Sequence, residues 1–208
     1  MDLQRINVKF FVENPDGILL TDFIRIFNSW IQGSDGEYYD IADYSHVTAG
    51  PGVLLIAHEA NISMDNTGNR LGLLYNRKQP LSGSNKEKLH FVFRSALEFC
   101  RRIEEEPALQ GKIKFGGNEF LLLINDRLLA PNSEATFRAV SPDLEKIAKA
   151  LYAGAEFLID HGNDAREVFA VKVKSLVHFE VLELLHNLQD HGELKKEGSW
   201  DTTRSLSR

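Results

Sequence analysis

The chain has 208 residues, enough for one domain of ordinary size or for two small halves sharing one core. Hydrophobic residues make up 43% of it and charged residues 26%, which excludes a largely disordered or fibrous chain. A net charge of −6 with no long basic run argues against a general grip on nucleic acid or on an anionic membrane.

In chain order, residues 7–13 form a short apolar run that reads as a buried strand, followed by an N-P-D-G turn. Phe23, Phe27 and Trp30 then recur at helical spacing, with Thr21 as cap and Gly33 as stop. Three strands follow: one around residues 37–47, one over residues 52–64, and one over residues 70–78. Their connections are too short for helical crossovers, so an antiparallel meander is expected. Ser84 and Glu87 make a capping box ahead of a long helix that ends before Pro107. Its apolar stripe includes Leu89, Val92, Phe93, Ala96, Leu97, Cys100 and Ile103. Glu104 to Glu106 at its end oppose the helix dipole.

The second half opens with two short strands around Gly116 and Gly117. S-P-D-L-E predicts a helix with Ser141 as cap and Pro142 in its first turn. Two strands joined by G-N-D-A-R follow, then a helix over residues 176–188. Residues 192–208 read as a polar tail, expected to be disordered.

The halves, about 1–107 and 108–191, have similar element orders. Each reads as strand–helix–strand–strand–helix, with one extra strand in the first. The expected fold class is therefore α+β: antiparallel sheet with helices packed on one face, an internal pseudo-duplication, and ferredoxin-like or saddle-like layers, in a single domain over residues 1–191.

Cys100 is the only cysteine, so neither an internal disulfide nor a thiolate metal site is available, and its place on a helical stripe reads as packing. The N-terminus shows no signal-peptide pattern, and no apolar stretch approaches the roughly 20 residues of a membrane-spanning helix, so a cytoplasmic protein is expected. The phosphate loop, the dinucleotide fingerprint, the G-x-S-x-G elbow and H-E-x-x-H are all missing; His58-Glu59 continues as A-N-I.

The densest polar group lies in the meander: Asp40, Asp43, Tyr44 and His46 on one strand, then His58, Glu59, Asn61 and Asp65 on the next. Alternation puts Asp40, Tyr44 and His46 on one face and Asp43 on the other. These groups interrupt apolar rows, and burial demands partners for them. If the register brings His46 to His58, the pair and one carboxylate suffice for a zinc-type site with an open position. The other arrangement has the histidines bonding across the sheet or sitting at its edge. The ligand-binding candidates are Asp40, Asp43, Tyr44, His46, His58, Glu59 and Asp65; no metal or cofactor is assigned.

The block D-Y-S-H-V-T-A-G-P-G-V-L-L-I-A-H-E-A-N, followed by D-N-T-G-N-R-L-G-L-L-Y-N-R-K, resembles a family of uncharacterised bacterial proteins. The resemblance implies a bacterial cytoplasmic origin and no particular reaction, cofactor or ligand. The expected function is a non-catalytic module that binds a small molecule or a protein partner, as a homodimer through a sheet or helix face. The alternative is an enzyme using the His46/His58/Glu59 region for metal-assisted hydrolysis or general acid–base chemistry.

Overall fold

The structure is a computed structural model that describes residues 1–162 and 164–190. The expected polar tail from Gly192 lies outside them. Eight antiparallel strands form one sheet, and two of them, β1 (Ile6–Val12) and β6 (Phe115–Ile124), pair near its middle. From β1 the chain crosses through α1 (Asp22–Gly33) to the edge strand β2 (Tyr38–Tyr44). It returns strand by strand through β3 (Gly52–Ala57), β4 (Ala60–Asp65) and β5 (Gly72–Arg77), which lies beside β1. After α2 (Asn85–Glu104) and β6, the helix α3 (Glu134–Leu151) crosses to the opposite edge, β7 (Phe157–His161). The strand β8 (Phe169–Ser175) then comes back beside β6, and α4 (Val181–Asp190) follows. The fold is thus α+β, with the helices on one face as the sequence predicts. The two halves differ by two strands rather than one, and this order does not establish a duplication.

The core lies between that face and the helices. Alternate strand residues (Val8, Phe10, Val53, Leu55, Ile62, Leu73, Tyr75, Leu122, Val171 and Val173) meet the apolar stripes of the helices there. Phe93 of α2 stands edge-on to Phe120 of β6, with centroids 4.7 Å apart. The capping box of α2 is present: Glu87 N–H donates to the Ser84 hydroxyl, and Ser84 N–H donates to the Glu87 carboxylate at 2.7 Å. The glutamates that oppose the dipole at the end of α2 are anchors. Glu104 accepts Phe115 N–H at 2.8 Å, and Glu106 accepts the Trp30 indole N–H at 2.9 Å.

Several boundaries differ from expectation, each for a local reason. Residues 52–65 are two strands, because His58 and Glu59 form a two-residue turn carrying no glycine, proline or asparagine to mark it. Gly116 and Gly117 sit inside the single strand β6. A Cβ on Gly117 would come within 2.0 Å of the Phe179 carbonyl oxygen, so glycine here permits close backbone approach. The third helix starts at Glu134, capped by Ser133, and runs through Pro142. Buried Thr136, Val140 and Leu144 hold the turns on both sides of the proline, offsetting its missing N–H. The last helix starts at Val181, not at residue 176. Thr21 precedes α1 but makes no side-chain capping bond.

Cys100 is fully buried in the core, and burial pushes its thiol well above the ordinary value near 9.0. We expect no reaction with a water-soluble disulfide reagent at mildly alkaline pH in the folded protein, and one equivalent on unfolding in urea. A colorimetric thiol assay with and without denaturant checks this; rapid reaction of the native protein would place Cys100 outside the core.

Candidate functional site

With the helices on one side, no helix packs on the other face of the sheet, part of which residues 66–70 cover. Strand register sorts its side chains into rows running across the strands. One row joins Ile56, Asn61, Asn76, Asn7, Leu123 and Ala170; the next joins Leu54, Ser63, Leu74, Lys9, Leu121 and Lys172. The aliphatic members are half-buried by their neighbours, with nothing packed above them. Three asparagines from three adjacent strands therefore stand side by side in an apolar surround. The side-chain oxygens of Asn7 and Asn61 are buried and accept no hydrogen bond. A buried amide oxygen without a donor costs about 1–3 kcal/mol, a cost the sheet carries at these two positions.

Lys9, 3% exposed, is the charged centre of this face. Its ammonium reaches diagonally across β5 to the Asp65 carboxylate at 2.5 Å. The path crosses Gly72, where a Cβ would come within 2.9 Å of Lys9 Cε and 2.3 Å of the Phe10 carbonyl oxygen. Asp65 also accepts the Thr67 hydroxyl at 2.8 Å and Thr67 N–H at 3.2 Å, which folds residues 66–70 over the pair. Arg70 closes the end of the cover, its guanidinium 3.7 Å from the centre of the Phe11 ring and bonded to Glu119. Burial lowers the pKa of Lys9 from its ordinary value of 10.5, while Asp65 favours the charged form.

The helix side carries a cleft of about 390 Å³ between α2 and strands β2–β5. Ala57 and Ala60 leave room at its floor, and Tyr38, Tyr75, Phe91 and Phe99 line it. Its charges are largely satisfied internally. Arg94 pairs with Glu98 and Arg101 with Glu105. Arg102 lies 3.8 Å from the centre of the Trp30 ring and donates to the Tyr38 hydroxyl at 2.8 Å.

The seven residues singled out from sequence fall in different places. Asp40 and Tyr44 stand on the helix-free face at the β2 edge, and Asp65 is buried beneath its loop. Asp43 points to the other side of β2, where its carboxylate accepts Ser45 N–H at 2.8 Å. His46 is in the β2–β3 turn rather than on a strand. His58 and Glu59 form the β3–β4 turn, with Glu59 at the rim of the cleft and bonded to buried Arg77. His46 and His58 thus sit beyond opposite ends of the six-residue strand β3, about 20 Å apart along the strand, and do not form a pair. Among the described residues, no group of three His, Cys, Asp or Glu side chains is placed to hold a metal ion, and no helix is long and apolar enough to cross a membrane.

Sequence reasoning missed Lys9, Asn7 and Asn76. For Asn7 and Lys9 the signal was alternation, polar positions between the core residues Ile6, Val8 and Phe10, whereas Asn76, between Tyr75 and Arg77, carried none.

The Lys9→Met variant should lose about 3–5 kcal/mol of stability by stranding a buried carboxylate, while Lys9→Met/Asp65→Leu should recover most of it. Urea unfolding of both checks this, and equal losses would show that the pair does not act as a unit. Comparison with protein-family models, with curated proteins and with solved structures finds no match to this chain, so the resemblance of the block over residues 43–78 carries no assignment.

Proposed function

We propose that the protein is a non-catalytic interaction module whose working surface is the helix-free face of its sheet, where it binds another polypeptide. The carrying observation is that half-buried Leu54, Ile56, Leu74, Leu121 and Leu123 share this face with no helix packed over them. Soluble monomers rarely leave contiguous apolar patches above a few hundred Å² in water. With eight strands about 4.8 Å apart and three side chains per strand, the whole face, shared about equally by apolar and polar side chains, spans on the order of 700 Å², close to the roughly 800 Å² each partner contributes to a standard interface.

A second reading is a small apolar or aromatic molecule in the cleft beneath α2. Its support is the cleft's size, within the range of roughly 300–1,000 Å³ common for ligand pockets, and its aromatic lining. The paired charges around it favour an uncharged occupant.

A photo-activatable cross-linker in place of Leu121, at the middle of the helix-free face, tests the main reading in cells. We expect a discrete cross-linked species from this position and none from Lys146, on the exposed side of α3. Equal cross-linking at both positions would remove the face as the working surface.

A further inference from the structure

We infer that the cleft beneath α2 takes a neutral, planar aromatic molecule whose edge carries a ring N–H beside a C=O, as in a cyclic amide. The inference rests on the second reading above and names the class of ligand. The cleft exists because of how the helices divide the sheet. α1 lies over β2 and β3, and α2 over β1 and β5, so an opening remains between them above β4. In its floor Tyr38 pairs with Ala57 and Ala60 with Arg77, which sets two small residues between two large ones. The wall is aromatic: Phe99 of α2 stacks on Tyr75 with ring centres 6.2 Å apart, and Phe91 lies nearer the start of the helix. A flat ring fits such a slot by offset stacking and by burying both of its faces.

Two side chains give the slot its polarity. Of the charges around it, Glu59 is bonded to Arg77, Arg94 to Glu98 and Arg101 to Glu105. Arg102 and Glu37 are the remaining two, and among the described residues neither makes an ion pair. Arg102 is held by the Trp30 ring at 3.8 Å and by one hydrogen bond to the Tyr38 hydroxyl at 2.8 Å, which leaves other N–H donors of the guanidinium free. Glu37 acts on the same hydroxyl. Burial raises the pKa of Tyr38 above its ordinary value of 10.0, Arg102 opposes the rise and Glu37 adds to it. A cation with spare donors thus stands beside a carboxylate without meeting it.

This pair selects the ligand. A carboxylate placed on Arg102 would face Glu37, and an ammonium placed on Glu37 would face Arg102, so a charged ligand gains one partner and one repulsion. A neutral edge with an acceptor next to a donor satisfies both side chains: Arg102 donates to the C=O, and Glu37 accepts the N–H. Hydrogen bonds to charged groups are the stronger ones, so this edge fixes the orientation of the ring in the slot.

Amide proton–nitrogen correlation NMR spectra of the full chain, titrated at neutral pH with quinolin-2-one and with its N-methyl derivative, test this. We expect shifts centred on the amides of Ala57, Ala60, Ser95 and Phe99, which line the cleft, and about tenfold weaker binding of the N-methyl compound. Glu37→Ala should weaken quinolin-2-one about tenfold and leave the N-methyl compound unchanged, while Arg102→Met should weaken both. Ser95→Phe, which fills the slot from α2, should abolish binding of either. Far-UV circular dichroism reports folding, and half-buried Glu37 keeps the test decisive if loss of Arg102 from the Trp30 ring disturbs the fold.

Equal binding of the two compounds to the wild type, or an equal effect of Glu37→Ala on both, would overturn the cyclic-amide edge; loss of that binding in Ser95→Phe would still support the cleft as a site for aromatic molecules. Binding that survives Ser95→Phe would place the site elsewhere and overturn both the inference and the reading beneath it. Absence of shifts with either compound at millimolar concentration would also overturn both.

Discussion

The structure depends on a constraint at β1, which is buried over its whole length although helices cover only one of its faces. Ile6, Val8 and Phe10 belong to the core, where Phe10 meets Phe93 and Phe120. Asn7, Lys9 and Phe11 point the other way and are enclosed by the sheet's own furniture: a loop, a cation over a ring, and neighbouring side chains. An ammonium and an amide at the centre of an apolar surface need partners. Lys9 has one because a glycine in the intervening strand clears its path to Asp65. Asn7 does not. At the centre of the face, therefore, the buried charge is paired while a buried amide oxygen is not.

The fold class was legible because its signals are local and periodic. The capping box fixed the start of α2, and the stripe through Phe23, Phe27 and Trp30 fixed α1. Errors arose where packing overrode a local marker. Pro142 looked like a helix start but lies within a helix whose buried stripe begins before it. The His58-Glu59 turn was invisible because apolar residues flank it and neither residue marks a turn. That single missed turn shifted the face assigned to His58 and made a pairing with His46 look open.

The site was only partly legible. Asp40, Tyr44 and Asp65 were named for their polarity, and all three come from the helix-free side of the meander. Lys9, by contrast, is followed by the adjacent pair Phe10 and Phe11, which breaks the alternation that would mark it. The asparagine row requires the register of β4, β5 and β1 together, and no short-range pattern supplies it. Glu104 and Glu106, which looked anomalous at the end of a helix, act as acceptors for groups far away in sequence.

The sheet's two outer strands, β2 and β7, face a separate hazard. An open eight-stranded sheet ends in two rows of unpaired backbone groups, and such rows recruit further strands. Here one border, β2, carries Asp40 and Asp43, and the other, β7, is five residues long with Asp160 near its end. Carboxylates along a border repel a like border from a neighbouring molecule, and a short strand offers little length to pair. Lateral growth into ribbons is thus discouraged while the helix-free face stays available. At the high local concentrations that accompany synthesis, the chain is thereby steered away from open-ended fibres.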